Sequence, residues 1–114
     1  MADIEQISDP EVVDDLLARS HQRPVWIFKH SLTCGTSAGA RRRYEQYAAT
    51  RPDDDADFTL LEVQRARPLS QAVAAATGVR HQSPQAILLR GGRAVWSTSH
   101  GAITAEAMQR ALAE

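Results

Sequence analysis

Three short apolar runs, Val25-Trp26-Ile27-Phe28, Phe58 to Val63, and Ala86-Ile87-Leu88-Leu89, constrain this chain more than any other feature. They are too short to be separate helices, and the first and third lack polar alternation, which predicts strands buried on both faces. Segments of helical periodicity lie between them. Alternating strands and helices in a chain of 114 residues point to one α/β domain over 1–114, built on a parallel sheet with right-handed crossovers.

Asp9 is placed to cap a first helix with Pro10 at its first position, and Val13, Leu16 and Leu17 form its apolar stripe to about Ser20. A second helix is predicted from Cys34 to about Thr50, with Ser37, Ala40, Tyr44, Tyr47 and Ala48 on one face and Arg41, Arg42, Glu45 and Gln46 on the other. The acidic break from Arg51 to Asp57 reads as a solvated connection rather than a metal site. Pro68 opens a third helix through Leu69, Val73 and Ala76, and Gly78 supplies its left-handed cap. Gly91-Gly92 is a two-residue hairpin loop between antiparallel strands Ala86–Arg90 and Arg93–Ser97. Thr104 caps a last helix, with Ile103 and Met108 spaced for a hydrophobic staple. The expected architecture is a mixed four-stranded sheet with helices on both faces, the thioredoxin-like arrangement.

Thirteen basic and 14 acidic residues leave a net charge of −1, which gives no bulk-charge argument for nucleic-acid binding. The first residues lack the basic start and apolar core of a signal peptide, and no run is long enough to span a membrane, so a soluble cytoplasmic protein is expected. One cysteine, Cys34, excludes an internal disulfide, a CxxC pair and a multi-thiolate zinc site. In a reducing compartment it persists as a free thiol.

Cys34 stands where a buried strand ends and a helix begins. Unpaired N–H groups and the positive end of the helix dipole lower a thiol pKa at such a place. Lys29 and His30 are close enough in sequence to add positive potential, and helical spacing puts Ser37 on the same face as the sulfur. Because Ser37 cannot form a disulfide, a mixed disulfide on Cys34 must be resolved by an external thiol. Against this stands the ordinary fate of a free cysteine, a small buried hydrophobe. Pro84 precedes the third apolar run, where a proline is tolerated only as a first strand residue. His81 and His100, like His30, flank strands near the same site and suit hydrogen bonding or contact with a substrate carboxylate better than metal ligation. His21 reads as a solvated loop residue, and Trp26 and Trp96 as core.

The run Ile27-Phe28-Lys29-His30-Ser31-Leu32-Thr33-Cys34-Gly35-Thr36-Ser37 resembles the signature of the monothiol bacilliredoxin family, thioredoxin-like proteins of the bacillithiol system. The likeness continues through Val79-Arg80-His81-Gln82-Ser83-Pro84-Gln85, Gly91 to Trp96, and Ser99-His100. It implies that Cys34, within a motif of Thr33, Gly35, Thr36 and Ser37, takes bacillithiol from S-bacillithiolated client proteins. Bacillithiol would then be a co-substrate, with no tightly bound cofactor, and the protein a monomer or weak dimer. The resemblance also implies a cis peptide at Ser83-Pro84 that faces the cysteine loop and frees the Ser83 backbone to pair with a peptide-like thiol. Gly35-Thr36 stands where the family often has Pro-Ile, a change expected to weaken the helix start slightly and leave more room at the sulfur. Cys34-Gly35-Thr36-Ser37 is also similar to the CGFS motif of monothiol glutaredoxins, which implies a shared [2Fe-2S] cluster as the alternative. A redox-inactive binding module is a third reading.

Overall fold

The computed structural model describes residues 2–114. In chain order its elements are β1 (Ile4–Gln6), α1 (Val12–Arg19), β2 (Val25–His30), α2 (Ser37–Ala49), β3 (Asp57–Glu62), α3 (Arg67–Thr77), β4 (Gln85–Arg90), β5 (Arg93–Ser99) and α4 (Ala105–Ala113). Short 3-10 turns occupy Val63–Arg65 and His100–Ala102. The described strands form one mixed sheet in the order β1-β3-β2-β4-β5. The first three are parallel and the last two antiparallel to their neighbours.

All six residues of the central β2 are buried, as its non-alternating sequence requires. Trp26 and Phe28 join Tyr44, Tyr47, Phe58, Ile103 and Met108 in one apolar layer, beneath α2 and α4. Val25 and Ile27 join Leu16, Leu61, Leu69, Val73 and Ile87 in the other, beneath α1 and α3. The aromatic layer is dense: Trp26 meets Tyr47, Phe58 and Trp96 at centroid distances of 6.1, 6.3 and 5.8 Å. Edge-on and offset ring packing of this kind adds to area burial.

The sheet has five strands, not four. β1 was missed because three residues, two of them Glu5 and Gln6, carry no readable periodicity. They become a strand only by pairing with Phe58–Leu60 of β3. The first helix also starts later than Asp9-Pro10 suggested. Asp9 accepts the Glu11 N–H at 2.9 Å and closes a turn ahead of the helix, leaving Pro10 outside it. Asp57, assigned to the acidic connection, instead begins β3 and pairs with Arg23 at 2.7 Å. Val63 falls in the 3-10 turn after β3, not in the strand.

Other boundaries match their sequence signals. Gly78 ends α3 at φ 72°, and Pro68 lies in its first turn. Gly91 and Gly92 adopt φ 65° and 84°, the paired positive values of a type I′ hairpin. Thr104 Oγ1 accepts the Ala107 N–H at 3.1 Å, and Ile103 and Met108 are both fully buried in the layer beneath α4.

Candidate active site

The topology gathers one set of groups at a single end of the sheet. β2 and β3 run into their loops there, β4 begins there, and β5 finishes there, since Lys29 opposes Gln85 and Gln85 opposes Ser99. The loop from Ser31 to Thr36, the turn after β3, Ser83-Pro84 and His100 therefore share that end. Ser83-Pro84 is cis, and the Pro84 carbonyl accepts the His100 N–H at 3.1 Å. His100 is a non-glycine residue at φ 55°, uncommon backbone for such a side chain.

Cys34 is half-buried in the turn ahead of α2, and its Sγ lies 3.2 Å from Thr36 Oγ1. The Thr36 hydroxyl is the main influence holding the thiol below its ordinary pKa, followed by the Thr36 backbone N–H. Partial desolvation opposes them, and the Ser37 N–H adds a smaller lowering. All these groups belong to the start of α2, and the one placed as a hydrogen bond to the sulfur is the Thr36 hydroxyl; the Ser37 N–H donates to the Cys34 carbonyl at 3.1 Å.

Two details of the sequence reading change. The helix begins at Ser37 with Thr36 as its cap, so Cys34 lies outside the helix and the i, i+3 spacing no longer places Ser37 beside the sulfur. Ser37 is fully buried and faces the sheet: its Oγ accepts the Ser31 N–H at 2.9 Å and sits 2.8 Å from His30 Nδ1. Gly35 likewise precedes the helix cap and incurs no helix-interior penalty. A Cβ at Gly35 would meet nothing within 4 Å apart from its chain neighbours Cys34 and Thr36.

Lys29 and His30 are separated by the two-residue period of the strand. His30 faces α2 and stacks on Phe28 at 6.3 Å. Since Ser37 Oγ accepts from Ser31, its proton is best used on His30 Nδ1, which leaves the ring neutral. Burial and then Arg41 lower the His30 pKa, with Glu62 and Glu45 opposing. Lys29 faces α3 and is fully buried, its Nζ 3.0 Å from the Ser70 carbonyl and 3.2 Å from His81 Nδ1. Desolvation pushes it down to about 8. Lys29 therefore reaches the surface only through His81.

Sequence reasoning missed the residues that shape the cysteine loop. Ser31 Oγ accepts the backbone N–H groups of Cys34 and Thr33 at 3.2 and 3.3 Å. Gln64 takes the Leu32 N–H on Oε1 at 2.9 Å and reaches Ser31 Oγ and Thr33 Oγ1 through Nε2 at 3.1 and 3.2 Å. A serine three residues before the cysteine was a readable signal, a local side-chain cap on a turn. Gln64, 30 positions downstream, had none.

A parallel-antiparallel sheet with helices on both faces and a lone activated thiol at a strand-to-helix turn define a thioredoxin-fold thiol oxidoreductase. The chain belongs to the monothiol bacilliredoxin family, whose model matches residues 5–108. Among solved structures it is similar to a protein described as having a thioredoxin fold and an inferred oxidoreductase activity. The two are 31% identical over 95% of this chain and 92% of the other, with a TM-score of 0.83. Thioredoxin from Malassezia sympodialis is 17% identical over 99% of this chain and 90% of its own, with a TM-score of 0.78. A variant thioredoxin from Halobacterium salinarum is 21% identical over 96% and 88%, with a TM-score of 0.72. These last two bear on fold alone.

Proposed function

We propose that Cys34 removes bacillithiol from S-bacillithiolated proteins by a monothiol exchange. The observation that carries this is the accessible Cys34 thiol, activated by Thr36 and the start of α2, with Ser37 turned away from it and no second cysteine in the chain. The Cys34 thiolate attacks the bacillithiol sulfur of the mixed disulfide, and the client cysteine leaves as a thiolate that takes a proton from solvent. A second low-molecular-weight thiolate then attacks the bacillithiol sulfur on Cys34, restoring the Cys34 thiolate and releasing a small symmetric or mixed disulfide. Sulfur oxidation states balance at each step, and no bound cofactor takes part.

Ser83, Pro84, His81 and His100 are assigned to holding the rest of the thiol and the client segment at this end of the sheet, with Lys29 acting through His81 and the buried His30 through Ser37. The partners are the small thiol and its S-thiolated clients, the protein working as a monomer or weak dimer. A cytoplasmic setting suits this role, and no helix among the described residues is long and apolar enough to cross a membrane. Incubation with an S-bacillithiolated protein is expected to transfer the bacillithiol mass to Cys34. Intact-protein mass spectrometry checks this, and equal loss of the modification from the substrate with wild type and Cys34→Ala would sink the mechanism.

A further inference from the structure

A groove of about 270 Å³ lies between the turn after β3, α3 and the segment before Ser83, lined by Val63, Arg67, Ser70, Gln71, Ala74 and His81. Its neighbour in sequence, Gln64, is the residue that grips Leu32 and Thr33. One 3-10 turn thus supplies Val63 to the groove and Gln64 to the cysteine loop. His81, on its wall, is two residues from Ser83.

The charges around this groove are one-sided. Beneath it lies the Lys29 ammonium, fully buried, with only the Ser70 carbonyl and His81 Nδ1 as partners for its three N–H bonds. Arg67 at the start of α3 has no ion pair among the described residues. His81 is influenced by both cations: burial, Lys29 and Arg67 all lower its pKa, and no carboxylate offsets them. Lys29 too has no acidic group acting on it. A buried ammonium without a counterion is costly, and a fold that keeps one leaves a positive potential to be met from outside. His81 Nδ1 lies 3.2 Å from both the Lys29 ammonium and Ser70 Oγ; the tautomer that accepts from the ammonium carries its proton on Nε2, which has no partner among the described residues. Arg67 supplies a planar guanidinium, the donor fork that matches a carboxylate.

We propose that this groove is a carboxylate-binding subsite for the small thiol exchanged at Cys34, with Arg67 and His81 as its donors and Lys29 as the buried charge beneath them. The identity of the ligand as the exchanging thiol rests on the function proposed above; the subsite itself is testable without it.

Binding is read first in the Cys34→Ser protein, by NMR titration of His81 with succinate as the probe and sodium chloride at matched ionic strength as control. Succinate is expected to raise the His81 pKa, because a bound carboxylate favours the imidazolium, and Arg67→Gln is expected to abolish most of that rise. A His81 titration unchanged by succinate, or moved equally by chloride, overturns the subsite. The second reading uses wild-type protein carrying a mixed disulfide on Cys34, released by 2-mercaptosuccinate or by 2-mercaptoethanol. Arg67→Gln is expected to slow release by the dicarboxylate thiol by about tenfold, the scale of one charge-assisted contact, and to leave release by the uncharged thiol unchanged. Equal slowing of both overturns the proposal. Failure of Cys34 to exchange with either thiol refutes the proposed function instead, and the succinate titration then decides the subsite by itself.

Discussion

Thr36, not Ser37, is the side chain that meets the sulfur, and this reassigns the polar contact within the cysteine motif. A hydroxyl 3.2 Å from Sγ favours the thiolate by hydrogen bonding, so its loss should raise the thiol pKa. Thr36→Val keeps the side-chain shape and removes the donor. Its alkylation by iodoacetamide is expected to rise with pH later than in wild type, while Thr36→Ser should restore the profile. Superimposable profiles for wild type and Thr36→Val would show that the backbone N–H groups alone activate Cys34. Cys34 stood out in the sequence as the candidate reactive group because its position between a buried strand and a helix was readable from local pattern. Ser37 was misplaced because spacing along a helix has meaning only once the helix start is known, and that start depends on Ser37 being drawn into the sheet by His30 and Ser31. Gln64 was invisible for a related reason: its contacts to Leu32 and Thr33 are created by the pairing of β2 with β3.

At the scale of elements, the hairpin was legible almost residue for residue, but its attachment was not. Gly-Gly between two strand-like runs specifies a tight turn locally. The end of α1 then pins that turn: the Ser20 carbonyl takes the Gly91 N–H and Ser20 Oγ takes the Gly92 N–H, each at 2.8 Å. His21 is exposed as expected, yet it lies over Gly92, where a Cβ would come within 2.5 Å of its Nε2. The two glycines consequently differ. Gly91→Ala meets only the backbone cost of φ 65°, since nothing lies within 4 Å of its Cβ. Gly92→Ala meets a comparable backbone cost and must also displace His21. Urea unfolding is expected to show Gly91→Ala destabilised by about 1 kcal/mol and Gly92→Ala by more. Adding His21→Ala should reduce the excess at Gly92 and have no such effect at Gly91. An excess at Gly92 that survives removal of His21 would place the strain in the backbone. The missed β1 teaches the complementary point: with only Ile4, Glu5 and Gln6 to read, a strand defined by its neighbour leaves almost no trace in its own sequence.

Across the whole molecule, two apolar layers enclose a sheet whose central strand carries a buried lysine one residue before its end. Desolvation holds Lys29 at about 8, against 10.5 for the ordinary group. The folded-state pKa is thus lower than the unfolded one. Between those values the unfolded chain binds more protons, so this group makes stability rise with pH, a gain complete only above about 10.5. Below about 8 the ammonium is charged in both states and its burial cost is fully felt. The difference of about 2.5 pKa units corresponds to roughly 3 kcal/mol across the window. Tyr44 opposes at the upper end, because burial raises its phenol well above the usual value and high pH favours the unfolded tyrosinate. The comparison is therefore best made between pH 7 and 9.5, on wild type against Lys29→Met. Methionine fills similar volume without a charge, and replacing a buried uncompensated ion by an apolar side chain is often stabilising. Lys29→Met is expected to be more stable than wild type at pH 7, with the advantage shrinking as pH rises and wild type recovers its neutral amine. Urea midpoints at several pH values give this directly. A constant difference between the two proteins across that range would mean that Lys29 does not lose its proton there and that the ammonium finds compensation within the fold. It would also remove the buried charge from beneath the groove at Arg67 and His81 as an unmet potential. The stability curve of the whole protein and the ligand preference of one surface groove thus depend on the same ammonium group.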